Sequence, residues 1–168
     1  MPKILENPRP RLMAEAKRQI LEKGYQAVTI RSVANGCGIG VGTVYNYFPS
    51  KDDLVAAFML EDWNGCIRAI EEVSHNACAP QPVLQCIYGK LQAFARLYAP
   101  VMEDPAARSV FASGLGRYHG LLRQQLAKPL EKFCQTAFDA EFIAEALLTW
   151  TMAGKEFVQI ENLIQKLF

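Results

Sequence analysis

The short segment VGTVYNYFPSK combines hydroxyl, amide and ammonium groups with glycine and aromatic side chains. The hydroxyls of Thr43 and Tyr45 can donate hydrogen bonds to phosphate oxygens or contact base edges, and the Lys51 ammonium suits a phosphate. The amide of Asn46 can pair in bidentate fashion with adenine in a major groove. Gly42 would let backbone N–H groups approach a phosphate at the start of a helix, where the helix dipole favours an anion. These residue types predict binding to a nucleic acid.

Local signals place this segment on the last of three short helices. Gly24 supplies a left-handed stop for the first helix, Thr29 is a natural N-cap for the second, and Gly38 suits the turn before the third. Ser50 then begins a fourth helix with a capping box that Asp53 completes. The predicted bounds of the first three are 10–23, 30–36 and 41–48. Three short helices with a glycine turn between the second and third indicate a helix-turn-helix.

The rest of the chain keeps helical periodicity and shows no alternating strand pattern. Breaks at proline, glycine and aspartate predict five further helices, at 51–77, 82–100, 105–114, 117–137 and 139–165. The sequence therefore predicts an all-α fold.

Charge is divided unequally along the 168 residues. Residues 1–51 contain eight Lys or Arg against three Glu, a net charge of +5, whereas residues 52–168 contain ten basic and fourteen acidic residues, a net charge of −4. This division favours a basic module for a polyanion joined to an acidic remainder. The chain begins without the apolar stretch of a secretory signal and has no apolar run long enough to span a bilayer, which predicts a cytoplasmic protein without a membrane segment.

The cysteines are odd in number, scattered, and without a C-x-x-C pair. Only His75 and His119 could join them at a metal, and their spacings match no zinc pattern. We therefore predict thiols that are buried or half-buried in a reducing compartment, and no metal site. A redox or metal sensor is the alternative. The five are Cys37, Cys66, Cys78, Cys86 and Cys134.

The segment ILEKGYQAVTIRSVANGCGIGVGTVYNYFPSKDDL resembles the N-terminal DNA-binding domain of the TetR family of transcriptional regulators, over about residues 11–58. The rest of the chain resembles the family only in being helical. Gly40 departs from the family pattern, because Ser or Thr usually caps the recognition helix there, and Gly36 lies where a helix former is usual. The matching positions are Gly24-Tyr25, Thr29, Val33-Ala34, Gly38-Ile39, Gly42-Thr43, Tyr45, Tyr47-Phe48 and Lys51-Asp52.

The resemblance implies a DNA-binding surface formed by the second and third helices and the start of the fourth. Thr29 and Arg31 would extend the contacts from the second helix, although Arg31 could be a solvated surface residue. Tyr47 would contact DNA or lie at the rim of the core, and Val44 and Phe48 belong to the core alone. The predicted DNA-binding residues are Thr29, Arg31, Val41, Gly42, Thr43, Tyr45, Asn46, Tyr47 and Lys51.

The resemblance also implies two domains: a helix-turn-helix domain with a basic arm at 1–50, and a helical effector-binding and dimerisation domain at 51–168. The implied protein is a homodimeric repressor without cofactor or metal, which a small apolar or aromatic effector releases from a near-palindromic operator. The last two predicted helices would pair in the dimer, although a buried intrachain helix would have a similar sequence. Predicted pocket residues are Trp63, Phe94, Tyr98, Phe111, Tyr118 and His119; predicted interface residues are Leu147, Trp150, Thr151, Gly154 and Phe157.

Two other classes of function compete with this interpretation. An enzyme such as a recombinase could use the helix-turn-helix for targeting, but residues 52–168 show no catalytic serine or acidic metal-binding arrangement, so we predict no enzyme. A dimeric DNA-binding adaptor without an effector would share every feature of the first third of the chain.

Overall fold

A computed structural model describes residues 7–165 of the chain, apart from the side chains of residues 109–118. Every regular element in this part is helical, which confirms the all-α prediction. The elements are α1 (Pro8–Lys23), α2 (Ile30–Cys37), α3 (Val41–Tyr45), α4 (Lys51–Asn76), α5 (Gln81–Met102), α6 (Pro105–Ala127), a 3₁₀ helix (Lys128–Phe133), α7 (Ala137–Met152) and α8 (Phe157–Ile164).

The first helices form as the local signals predict. Leu12, Ala16 and Ile20 recur every fourth residue of α1 and are all buried, so one face of this helix packs inward. Gly24 ends α1 at a φ of 84°, and its N–H donates to the carbonyl of Ile20 at 2.9 Å. A positive φ at this position causes little backbone strain only for glycine.

The third helix ends earlier than predicted, at Tyr45 instead of Phe48. The N–H of Tyr47 donates to the carbonyl of Val44 at 3.0 Å, three residues back, and that of Phe48 donates to the same carbonyl at 2.9 Å. Pro49 follows and cannot continue a helix. The prediction was therefore wrong about the end of α3, because the last turn tightens before the proline.

Three predicted boundaries in the second half of the chain were also wrong. The GLG stretch at 114–116 does not interrupt α6, since a helix-interior glycine costs only about 1 kcal/mol relative to alanine. The helix instead gives way to the 3₁₀ helix at Lys128–Phe133, where Pro129 occupies the second position. The single helix predicted over 139–165 is two helices, because Gly154 adopts a φ of 75° after the end of α7.

The chain divides into two compact units, and α4, α5 and α6 contribute to both. One comprises residues 1–62 and 98–111; the other comprises residues 63–97 and 112–168. The core of the second is built from α4, α5, the end of α6, the 3₁₀ helix, α7 and α8. The predicted domain boundary after residue 50 stays a prediction. No helix in the described part is long and apolar enough to cross a membrane.

Candidate nucleic-acid interface

The turn between α2 and α3 has the geometry of a helix-turn-helix. The N–H of Ser32 donates to Thr29 Oγ1 at 3.0 Å, which confirms Thr29 as the N-cap of α2. The helix ends at Cys37, and Gly38 follows in the left-handed region at a φ of 68°. The N–H of Ile39 then donates to the carbonyl of Ala34 at 3.0 Å, closing the turn. Gly40 precedes α3 in an extended conformation without a side-chain cap.

The two sides of α3 differ in chemistry. Val44 is fully buried and Phe48 nearly so, which confirms both as core residues. The opposite side leaves Tyr45 52% and Tyr47 41% exposed, so both phenol rings face solvent. Gly42, Thr43 and Asn46 are also exposed, and Val41 is half-buried.

Thr29 and Arg31 lie at the start of α2, and both are exposed. The structure thus brings eight of the nine predicted DNA-binding residues to α2, α3 and the turn after α3, with the ninth at the start of α4. The assignment of these nine residues to DNA stays a prediction.

Lys51 has an intramolecular role that the sequence did not predict. Its Nζ donates to the carbonyl of Tyr25 at 2.9 Å and lies 3.8 Å from the centroid of the Tyr25 ring. The Tyr25 hydroxyl in turn donates to Asp52, and burial together with this carboxylate raises the pKa of Tyr25. The first turn of α4 therefore holds the α1–α2 connection, while the remaining ammonium donors of Lys51 stay available for a phosphate.

A polar cluster between α1 and α2 also escaped the sequence analysis. Gln19 is only 4% exposed and bonds to Glu15 on its own helix and to Ser32 on α2. Hydrogen bonds from Arg18 and Gln19 lower the pKa of Glu15 to about 2. The signal that could have revealed this cluster is a glutamine inside the apolar face of α1.

The same cluster accounts for the unusual Gly36. A Cβ at this position would lie 2.2 Å from Glu15 Oε1, so the Glu15 carboxylate occupies the space that a side chain would need. The guanidinium carbon of Arg9 lies 5.4 Å from the centroid of the Phe48 ring.

The predicted pocket residues fall in both compact units. Trp63 and Phe94 pack edge to face in the second unit, with ring centroids 5.6 Å apart, and Trp63 Nε1 donates to Gln125 at 2.7 Å. Tyr98 is buried in the first unit, where its hydroxyl donates to Asp62. His119 is exposed on α6. The side chains of Phe111 and Tyr118 lie outside the described residues.

The predicted interface residues divide between the core and the surface. Leu147 is fully buried and Thr151 is 7% exposed, so the structure corrects the prediction for both: they face the chain's own core. Trp150 is 47% exposed on the other side of α7, and Gly154 is exposed after its end. Phe157 is half-buried against the Tyr88 ring, at 5.3 Å between centroids.

A groove of about 520 Å³ runs between α7 and α8. None of the predicted pocket residues with described side chains lines it, and of the predicted interface residues Trp150 does. Its lining is mainly apolar: Phe142, Ala146, Trp150, Lys155, Gln159, Ile160, Leu163 and Ile164.

The surroundings of the five cysteines bear on metal binding and on thiol reactivity. Among the described residues, no three His, Cys, Asp or Glu side chains are grouped closely enough to hold a metal ion. Burial raises the pKa of the Cys37, Cys86 and Cys134 thiols, which disfavours the reactive thiolate. Cys37, the buried one, donates to the carbonyl of Arg11 at 3.6 Å.

Comparison with known sequences matches part of the chain. Residues 12–58 match the family described as "Bacterial regulatory proteins, tetR family". The chain is 28% identical to the HTH-type transcriptional regulator UidR of Escherichia coli over 38% of this chain and 33% of UidR. It is 38% identical to the repressor KstR2 of Mycobacterium tuberculosis over 60% of this chain and 52% of KstR2. The chain thus spans from a third to about half of the length of these relatives.

Solved structures match over nearly the whole chain. The transcriptional regulator SCO7518 of Streptomyces coelicolor superposes with a TM-score of 0.68 at 16% identity, over 96% of this chain and 98% of that one. The TetR family repressor AlkX of Dietzia superposes with a TM-score of 0.67 at 20% identity, over 96% and 95%. At these identities the likeness establishes the fold. Residues 12–58 are thus similar to the helix-turn-helix domain of the TetR family, and nearly the whole chain shares the fold of these regulators.

Proposed function

We propose that the chain is a sequence-specific DNA-binding transcriptional regulator that acts as a homodimeric repressor and leaves a near-palindromic operator when a small molecule binds. The observation that carries this proposal is the outward side of α3. It presents hydroxyl and amide groups to solvent directly after a left-handed glycine turn, while Val44 anchors its inner side. A helix held in this way can enter a major groove.

The predicted contacts differ in what they would contribute. Asn46 is exposed and carries an amide that can pair with adenine, so we assign it to base reading. Tyr45 and Lys51 would bind phosphates, which position the protein and add affinity without distinguishing sequences. The exposed cations Arg9, Arg11 and Arg31 on α1 and α2 add to the attraction for the phosphate backbone.

An exposed apolar row on α7 supports a homodimer. Phe138, Phe142, Ala146 and Trp150 follow one another at four-residue intervals, and we call them the α7 stripe. Phe138 is 73%, Phe142 54% and Trp150 47% exposed. Contiguous apolar surface of this kind marks an interaction site in a soluble protein. Because a near-palindromic site requires a two-fold arrangement of its reader, we assign the stripe and the α7–α8 groove to a second copy of this chain.

The proposed effector rests on a likeness of fold. FadR of Thermus thermophilus, solved in complex with lauroyl-CoA, superposes with a TM-score of 0.62 at 17% identity, over 95% of this chain and 92% of that one. We propose by analogy a small apolar or aromatic effector for this chain, and a cytoplasmic location. The effector would release DNA only by preferring a dimer in which the recognition helices are no longer about 34–36 Å apart.

The DNA-binding proposal is tested by selecting duplexes from a random pool and measuring their affinity at several salt concentrations. We expect a near-palindrome with half-sites about one helical turn apart. Asn46→Ala should change which sequences are selected, with discrimination reduced by ~1–3 kcal/mol at one position. Equal losses on selected and random duplexes would refute its assignment as a base reader.

A matched pair of lysine variants tests the phosphate contact. Lys51→Ala should weaken binding to all duplexes and lower the salt slope by about 1. Lys128→Ala removes the same charge from an exposed position on the 3₁₀ helix and should leave the slope unchanged. Equal salt slopes for the two variants would show that Lys51 makes no phosphate contact.

The effector is tested separately from the DNA contact. Purified protein on its selected duplex is screened with fatty acids, acyl-CoAs and aromatic acids, and both thermal stability and DNA release are followed. Thermal stabilisation together with DNA release supports the regulated repressor. A chain that binds its duplex and responds to none of these would instead be a DNA-binding adaptor.

A further inference from the structure

Gln19 forms a buried connection between α1 and the start of α2. Its Nε2 donates to the carbonyl oxygen of Ser32 at 3.1 Å, and its Oε1 accepts from the Ser32 hydroxyl at 2.7 Å. The side chain is nearly inaccessible to solvent, so water cannot replace either bond at low cost. One amide thus holds both the backbone and the side chain of a single residue on the neighbouring helix.

Ser32 in turn belongs to the capping box that begins α2. Its Oγ accepts from the N–H of Thr29 at 3.1 Å, and its own N–H donates to Thr29 Oγ1 at 3.0 Å. The position of Ser32 therefore determines the first turn of α2. Thr29 and Arg31, the two predicted DNA-binding residues of this helix, lie in or directly before that turn.

Glu15 determines which way the Gln19 amide points. Its Oε1 accepts from Gln19 Nε2 at 2.6 Å, and Arg18 donates to the same oxygen at 2.7 Å and to Oε2 at 2.9 Å. A carboxylate only accepts hydrogen bonds, so a reversed amide would set its carbonyl oxygen against a negative charge. The missing side chain at Gly36 makes the room in which the carboxylate lies.

We propose that Gln19 is a positioning residue for DNA binding. Glu15 holds the amide of Gln19, this amide holds Ser32, and the position of Ser32 orients Thr29 and Arg31 toward the duplex. This inference rests on the proposed function and deepens it. A purely structural glutamine would affect stability alone. A positioning glutamine affects the contacts made by α2 and leaves those made by α3 unchanged.

The test is a pair of double-mutant cycles on the duplex that the full-length wild-type chain selects from a random pool. Gln19→Leu keeps a similar volume and removes the amide, while Arg31→Ala and Asn46→Ala remove contacts of α2 and α3. We expect Gln19→Leu to weaken binding about tenfold. The change in Kd of the double variant Gln19→Leu/Arg31→Ala should differ by ~3-fold or more from the product of the two single changes. For Gln19→Leu/Asn46→Ala the change in Kd should equal that product. All affinities are measured at a temperature where circular dichroism shows each variant folded.

Two further variants serve as a control and as an alternative to Gln19→Leu. Ile20→Val alters the buried neighbour of Gln19, which has no part in the cluster, and should leave DNA affinity unchanged. Ser32→Ala removes the hydroxyl that Gln19 holds, and it should reproduce both cycles if Gln19→Leu fails to fold.

The contradicting outcomes are distinct. Unchanged affinity for Gln19→Leu, additivity in both cycles, or no effect of Arg31→Ala alone would overturn the positioning role while leaving DNA binding intact. Failure of the wild-type chain to bind any duplex would overturn the proposed function, and the positioning role with it.

Discussion

The proposed dimer can be tested at a single residue of the α7 stripe, Phe142. This side chain is 54% exposed and lies both in the middle of the stripe and in the wall of the α7–α8 groove. An aromatic side chain carries roughly 200 Å² of surface, so roughly 100 Å² of Phe142 is available for burial against a partner. At about 25 cal/mol per Å², burying that area is worth about 2.5 kcal/mol.

Two-fold symmetry doubles the effect of the substitution. In the proposed isologous dimer each copy contributes one Phe142 to the interface, so Phe142→Ala should weaken the dimer by about 5 kcal/mol. This corresponds to an increase in the dimer Kd on the order of 10³-fold. The side chain has half of its surface in solvent, so the stability of the isolated protomer should change far less.

Sedimentation equilibrium over a wide range of protein concentration measures this Kd directly. The matched control is Leu60→Ala, because Leu60 on α4 is 55% exposed and lies outside the stripe. We expect Phe142→Ala to dissociate at concentrations where wild-type protein and Leu60→Ala remain dimeric, and to lose affinity for the full palindrome in parallel. An unchanged dimer Kd for Phe142→Ala would refute the assignment of this face to a second copy.

Three further predictions concern stability. Thr151 Oγ1 is buried without a hydrogen-bond partner in the described part of the chain, so Thr151→Val should raise the free energy of unfolding in urea by ~1 kcal/mol; a decrease would show that the hydroxyl bonds to a partner group. The Tyr98 hydroxyl donates to Asp62, and Tyr98→Phe should lower thermal stability by ~0.5–1.5 kcal/mol, whereas an unchanged Tm would mean that this bond contributes nothing. Because the pKa of Glu15 is lowered to about 2, its ionised form stabilises the fold above the unfolded pKa of about 4.5, and that contribution is lost as the pH falls from there toward 2. The Tm difference between wild type and Glu15→Gln should therefore shrink over this range, and a constant difference would contradict the interaction.

Several features of the helix-turn-helix could be predicted from the sequence because their causes are local. The cap at Thr29, the left-handed glycines at 24 and 38, and the burial of Val44 and Phe48 each depend on residues within about one helical turn. The same reasoning failed at the end of α3 and at the GLG stretch of α6, where neighbouring turns outweighed a local signal. The environment of Gln19 could not be predicted, because its partner Ser32 is thirteen residues away on another helix.

The sequence by itself determined the all-α class, the helix-turn-helix and the polar side of its third helix, because periodicity, caps and glycines act over distances of a few residues. Only the tertiary structure decided which side of α7 faces outward. Leu147 and Trp150 are both large and apolar and lie three residues apart, yet one is fully buried and the other is half in solvent. That difference arises from the packing of α4, α5 and α8 against α7, which depends on residues far apart in the chain.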